Sequence, residues 1–209
     1  MYVPDEYDEH STMFVRAQNV GAFFGSVVSA FADETFERKT LSESRDDAGI
    51  ITLSKIIELT SSFEREFRML FPEGIEHRAS TREKHEQVKN AMLEAAKSLP
   101  SDSRRIVLRL SERVDEDNLE ARIRHACKTL PETVVNVAFE NAGINRKNNQ
   151  LGNKITTVRN DIAHGNKLQH DLGAVREEYK LLNNLVFAMR LMLLNIPDDD
   201  VARLLKCMG

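Results

Sequence analysis

The sequence predicts an all-α fold, an antiparallel helical bundle with an additional N-terminal helix. Three observations carry this. Apolar residues recur at three- and four-residue intervals along most of the chain, the spacing that lines one face of a helix. Only five prolines and nine glycines punctuate the 209 residues, too little for the tight turns of an all-β protein. No internal repeat, low-complexity segment or glycine-rich phosphate loop breaks the pattern. The chain divides into an N-terminal helical arm (1–41), a helical bundle (42–196) and a C-terminal tail helix (197–209).

Residues 1–10 are acidic, and a helical pattern begins at Ser11. Val20, Phe23, Phe24, Val27 and Phe31 share a face, and Gly21, Gly25 and Ser29 form a small-residue groove beside it, expected to pack closely against another element. Arg38 to Asp47 is a polar break with several helix-start residues. The next helix is expected from Asp47 to Phe71, with Ile50, Leu53, Ile57, Phe63, Phe67 and Leu70 inward, and Pro72 and Gly74 stop it. Ser80-Thr81-Arg82-Glu83 has the spacing of a capping box, opening a helix with Val88, Ala91, Met92, Ala95 and Leu99 on one side up to Pro100.

Residues 101–130 read as two shorter helices separated near Asp115-Glu116-Asp117-Asn118, the first with Ile106, Val107 and Leu110, the second with Leu119, Ile123, Ala126 and Leu130. Arg104, Arg105, Arg109, Arg113, Arg122, Arg124 and Lys128 decorate the pair; such runs are mostly solvated faces paired with acids, an RNA-facing surface being the lesser alternative. A helix over Pro131–Ala142 carries Val134, Val135, Val137 and Phe139 and ends at Gly143. After the polar connection Asn145–Asn149, a helix runs from about Asn148 to His164, stopped by Gly165. The last long helix starts with Asp171 as N-cap and reaches Asn195 before Pro197. It carries two apolar stripes, one through Val175, Tyr179, Leu182, Val186, Met189 and Leu193, the other through Leu181, Leu185, Ala188 and Met192, so it is either central in the bundle or shared with another subunit. Val201, Leu204, Leu205 and Met208 of the tail are placed to pack back on the body.

With 41% hydrophobic and 30% charged residues, the composition is that of a soluble globular protein. A net charge of −4 excludes a histone-like electrostatic nucleic-acid binder, so any RNA contact uses a local patch. Cys127 and Cys207 match no metal or redox spacing, which fits a reducing cytosol. The acidic N-terminus is unlike a signal peptide, and the longest apolar run, near Leu191 to Ile196, is far short of a membrane span; a cytoplasmic location is expected, with no membrane partner. His10, His77, His85, His125, His164 and His170 form no HExxH and no Cys/His cluster, so neither a metal nor a cofactor is expected, and His77 and His85 read as surface residues.

One stretch concentrates chemistry. Leu151, Ile155, Val158 and Ile162 fall within roughly 60° of arc at about 100° per residue, while Asn160 and His164 point away from that stripe with Arg159 at its edge. A histidine titrates near neutrality and can move a proton to or from a ribose 2′-OH or a leaving 5′-oxygen. An arginine grips phosphate and stabilises charge developing in the transition state. An asparagine can orient the histidine or hydrogen-bond the phosphate. Together they suit metal-free transesterification of RNA to a 2′,3′-cyclic phosphate and a 5′-hydroxyl. The competing structural reading is a polar helix end, with Arg159 paired to Asp161 or a neighbouring acid and His164 on the last carbonyls of its own helix.

Arg159-Asn160-Asp161-Ile162-Ala163-His164 resembles the R-x4–6-H motif of the HEPN superfamily, in which the residue after arginine is typically Asn, Asp or His. Val158 to Gly165, in the next-to-last long helix of an all-α chain, is similar to what many bacterial HEPN proteins show, and the Phe63-Glu64-Arg65-Glu66-Phe67 helix with the paired leucines near the end resembles the HEPN domain of ApeA-type phage-defence proteins. The resemblance covers about residues 42–196. It implies a HEPN-like bundle that forms a homodimer with the motif helices facing each other, a composite ribonuclease site, and a role in abortive infection or as a toxin, cleaving tRNA or other cellular RNA. It makes Arg159 and His164 the catalytic pair and Asn160 the supporting residue. Implied partners are an RNA substrate, a second copy and an antitoxin protein. ApeA-type proteins usually carry a further N-terminal region, so residues 1–40 can be the end of something longer.

Two other functions compete: a non-catalytic HEPN module that binds a partner protein, such as a nucleotidyltransferase-type antitoxin, or a nucleotide; and a small four-helix ligand-binding regulator, which needs a pocket among apolar helices.

Overall fold

The computed structural model describes residues 20–33, 50–146 and 150–208. Among them are α1 (Phe24–Ala32), α2 (Leu53–Leu70), α3 (Ala79–Lys97), α4 (Ser101–Glu112), α5 (Leu119–Thr129), α6 (Glu132–Ala142), α7 (Asn153–His164), α8 (Arg176–Leu193) and α9 (Asp198–Lys206), and no strand. The fold is all-α with an extra N-terminal helix. None of the described helices is long and apolar enough to cross a membrane. Two compact units divide the chain, residues 1–72 with 119–209, and residues 73–118.

In the first unit, α8 is the central element. Leu181, Leu185 and Ala188 of one stripe and Leu182, Val186 and Met189 of the other are all buried, so its two apolar faces are both used within the chain. Helices α2, α6, α7 and α9 pack around it. Helix α2 contributes Ile56, Leu59, Phe63 and Phe67. The tail helix α9 inserts Val201, Leu204 and Leu205 among Val134, Val137, Ala188 and Leu191, so the tail is part of the core. Within this apolar interior Arg190 Nε donates to Glu66 Oε1 at 3.0 Å, both side chains being at most 3% exposed. Helix α5 buries Leu119, Ile123 and Ala126, followed by Leu130, and α6 ends at Gly143, whose φ of 72° is the left-handed stop expected there.

Several boundaries differ from expectation. Helix α2 starts at Leu53, because Thr52 is extended and its side chain accepts the Lys55 N–H. That phase turns Ile56 and Leu59 inward and leaves Leu53 exposed and Ile57 and Leu70 only half-buried. Helix α8 starts at Arg176; Asp171 instead caps the preceding turn, accepting the Ala174 N–H at 2.8 Å. Near the N-terminus a 3₁₀ turn at Gly21–Phe23 precedes α1, Phe24 is 49% exposed, and a Cβ at Gly21 or Gly25 would meet nothing within 4 Å. The expected close-packed small-residue groove is therefore absent among the described residues. The Phe31 side chain, the start at Ser11, the polar break over 38–47, the helix start at Asp47, the domain boundary at 41 and Lys147–Asn149 lie outside the described residues.

The second unit is the α3–α4 hairpin. Arg104 closes the end of α3, donating to the carbonyls of Ala96, Lys97 and Leu99. Helix α3 begins at Ala79, with the Arg78 carbonyl already accepting the Thr81 and Arg82 N–H groups, so Ser80 and Glu83 sit inside the first turn and the expected capping box does not form. The expected apolar stripes are largely uncovered here: Val88, Ile106 and Leu110 are each at least half exposed. Two helices side by side bury only a narrow seam, and a fuller core needs a further element.

Candidate active site at the end of the motif helix

The motif helix α7 is anchored along its length. Just before it, Gly152 adopts φ 82° and its Cα approaches Ile123 so closely that an added Cβ would stand 3.1 Å from Ile123 Cδ1. The preceding carbonyl, of Leu151, accepts Arg124 Nε at 3.4 Å. Glu178, buried on α8, accepts the Ile155 N–H through Oε2 at 2.9 Å, satisfying a donor that a helix start leaves without a helical partner. Burial raises the pKa of this carboxyl; the backbone N–H groups of Ile155 and Gly152 and the Lys154 charge work in the opposite direction, and Glu120 adds to the rise. Leu151, Ile155 and Val158 are buried as the stripe predicts.

The fourth position departs from the prediction: Ile162 is only half-buried and Asp161 goes inward, 3% exposed. Its Oδ2 accepts the Gln169 N–H at 2.9 Å, tying down the loop after the helix. The helix stops at Gly165, φ 66°, with the Asn166 N–H on the Asp161 carbonyl at 2.8 Å and the Gly165 N–H on that of Ile162, a Schellman ending.

Asn160 and His164 are exposed and Arg159 is half-buried beside them, all on the last turns of a helix fixed at both ends. Arg159 Nη1 donates to Asn160 Oδ1 at 3.1 Å, so those two side chains are brought together. Asp161 is committed to Gln169, and among the described residues no carboxylate pairs with Arg159; the expected structural alternative, an Arg159–Asp161 pair, is not what forms. The guanidinium and the imidazole are both presented outward, where an anionic substrate can reach them.

The other histidines are placed differently. His125 packs edge-on against Phe67 and Phe71, with ring centroids 5.7 and 5.2 Å away. His77 and His85, expected as surface residues, are partly exposed and contact each other edge to face, with His77 Nε2 2.9 Å from Asp117 and His85 Nδ1 3.3 Å from Asp115. No group of three His, Cys, Asp or Glu side chains among the described residues is arranged to hold a metal ion. Of the arginine run, Arg105 faces Asp102, Arg122 faces Glu64 and Arg124 faces Glu120, the acid pairing expected, although Arg122 is largely covered and Arg104 goes to the carbonyls at the end of α3 instead.

The residues that sequence reasoning missed are those that position the helix: Glu178, Asp161 and Arg124. Glu178 had a usable signal, since it lies three residues after Val175 and four before Leu182, a charge inside an apolar stripe.

No curated protein and no solved structure matches the chain. The family described as Apea-like HEPN matches residues 30–196, well over half of the 209 residues and including both the motif helix and the helices that anchor it. The chain belongs to the Apea-like HEPN family.

Proposed function

We propose that this protein is a metal-independent endoribonuclease of bacterial anti-phage defence, acting by abortive infection or as a toxin in the cytoplasm, and cleaving cellular RNA, with tRNA as a candidate, at a site composed by two copies of the chain. The observation that carries this reading is the outward presentation of Arg159, Asn160 and His164 at the end of a helix pinned by Glu178 and Asp161. One protomer offers one imidazole and one guanidinium there. Internal transesterification needs a base for the 2′-OH and an acid for the leaving 5′-oxygen, and a second motif helix facing the first supplies the second imidazole. Arg159 then stabilises the phosphorane charge, held in orientation by Asn160.

Incubation of the purified protein with tRNA in EDTA, followed by end-group analysis, tests it. Products with 2′,3′-cyclic phosphate and 5′-hydroxyl ends, lost in His164→Ala and Arg159→Ala variants that remain folded dimers, are the expected result. Equal cleavage by both variants and wild type sinks the assignment. Intact RNA together with stoichiometric capture of one partner protein points instead to a non-catalytic module.

A further inference from the structure

Beside the first turn of α7 lies a cavity of about 450 Å³ that the ribonuclease reading leaves unused. Its charged lining is Lys154 from α7 with Arg176, Glu177 and Lys180 from α8, and Ala142, Gly173 and Ala174 complete it. Three cations and one carboxylate line it, and the buried Glu178 carboxyl lies near Lys154, so cationic groups outnumber carboxylates around the space. Arg176 and Lys180 are four residues apart and share a face of α8. The hydrogen bond from Ile155 to Glu178 fixes α7 against α8 next to Lys154, so cations from two helices are held around the same space. A forked guanidinium with two ammonium groups is the donor set that suits phosphate oxygens. An apolar ligand would find little there to bury against.

We propose that this cavity binds a phosphate of the RNA strand on which the motif end acts, so that the strand runs along α7 from Lys154 toward His164. The proposal rests on the ribonuclease reading for its substrate. The two residues are separated by ten positions, about 15 Å along the axis and about 80° around it, on one side of the helix. At about 3.4 Å per stacked nucleotide, that places the bound phosphate about four nucleotides from the scissile one.

The test uses the full-length protein and a single-stranded 2′-O-methyl RNA of about 12 nucleotides, uncleavable and long enough to span about 15 Å, with binding read by fluorescence anisotropy over a range of salt. Lys154→Ala/Lys180→Ala is expected to bind about tenfold more weakly than wild type. The slope of log affinity against log salt should become shallower by about 0.7 for each phosphate that the protein no longer neutralises. A cooperative thermal transition shows that the double variant is folded, and Arg176→Lys, which keeps the charge but loses the fork, should bind with an affinity between those of wild type and the double variant. On a cleavable strand the double variant should raise KM by the same factor and leave kcat alone. Binding equal to wild type at every salt overturns the proposal. So does a wild type that binds ATP and not the strand, which makes the cavity a free-nucleotide site. Strand binding that disappears in the double variant, in a protein that cleaves no RNA, leaves the cavity assignment standing and sinks the ribonuclease reading instead.

Discussion

Glu178, on the central helix α8, accepts the backbone N–H of Ile155 at 2.9 Å and ties the first turn of the motif helix to the middle of the bundle. Its carboxyl is raised above the usual glutamate range chiefly by burial. The folded state therefore holds this proton more tightly than the unfolded chain does. Its contribution to stability falls as pH rises from the ordinary glutamate value, about 4.3, through the higher folded value, and is level above that. Glu178→Gln keeps a carbonyl acceptor and cannot ionise, so its stability should be flatter than wild type across that window and no lower near neutral pH. Glu178→Ala leaves the Ile155 donor buried without its acceptor and should lose about 1–3 kcal/mol. Urea midpoints across the acid range check both; a glutamine variant with the wild-type slope would show that the buried charge is not the source.

The two glycines flanking the motif helix differ in a way that unfolding can read. Gly152 and Gly165 both have positive φ, so alanine at either carries a cost of about 1–2 kcal/mol from the left-handed backbone. Gly165 has open space around it, whereas a Cβ at Gly152 meets Ile123, itself buried, at 3.1 Å. Gly152→Ala should therefore be the more damaging by about 1 kcal/mol or more. Equal costs would mean that Ile123 yields without loss.

Glu66 and Arg190 form an ion pair with almost no exposure, which makes its two halves far more important separately than together. Glu66→Ala takes the carboxylate partner from a buried guanidinium and should lose about 3–5 kcal/mol. Replacing both with Met removes the desolvated charges with the gap filled and should bring stability back near wild type. Chemical denaturation of the single and double variants gives the answer, and a double variant as unstable as the single would mean that the pair contributes net stability.

Much of the bundle was legible because its apolar stripes have one phase: Leu119, Ile123, Ala126 and Leu130, or the two stripes of α8, went where their spacing pointed. In two places a polar group had taken an apolar position. Asp161 displaced Ile162 from the interior because a carboxylate there satisfies the Gln169 N–H, a donor whose position no local pattern reveals. Glu66 and Arg190 are 124 residues apart, so each reads alone as a flaw in a stripe, and only the fold makes them partners. In the α3–α4 hairpin the stripes of Val88, Ile106 and Leu110 promised burial, but periodicity records an apolar face and not what covers it. The motif residues Arg159, Asn160 and His164 were visible by type and spacing; their outward presentation depends on anchors in α5 and α8.

The two cysteines should separate in reactivity. Burial pushes the Cys127 thiol up to about 12, only partly offset by the Arg146 charge, so almost no thiolate exists near neutrality and the sulfur is also inaccessible. Cys207 is partly exposed near the C-terminus. A thiol reagent at mildly alkaline pH should label Cys207 in the native protein and both residues in denaturant. Rapid native labelling at Cys127 would mean that α5 opens on the timescale of the reaction.

Arg159 and Asn160 are joined by a hydrogen bond of 3.1 Å, and that bond predicts how their variants combine. If the proposed ribonuclease function holds, His164→Ala should slow RNA cleavage by about 10²–10⁴, the loss of a proton-transfer group, and Arg159→Ala should cost about 10² or more, the loss of a charge donor. Asn160 is exposed and hydrogen-bonded to the Arg159 guanidinium, so on the proposed function Asn160→Ala should cost less, about tenfold. All three variants should keep the wild-type melting temperature, because Asn160 and His164 are exposed and Arg159 is half-buried. If Asn160 works only by holding Arg159, the double variant Arg159→Ala/Asn160→Ala should be no slower than Arg159→Ala alone, since the second substitution removes support from a group already gone. A double variant slower by the product of the two single effects would instead place Asn160 on the substrate directly. Single-turnover cleavage rates of the four proteins decide between those roles.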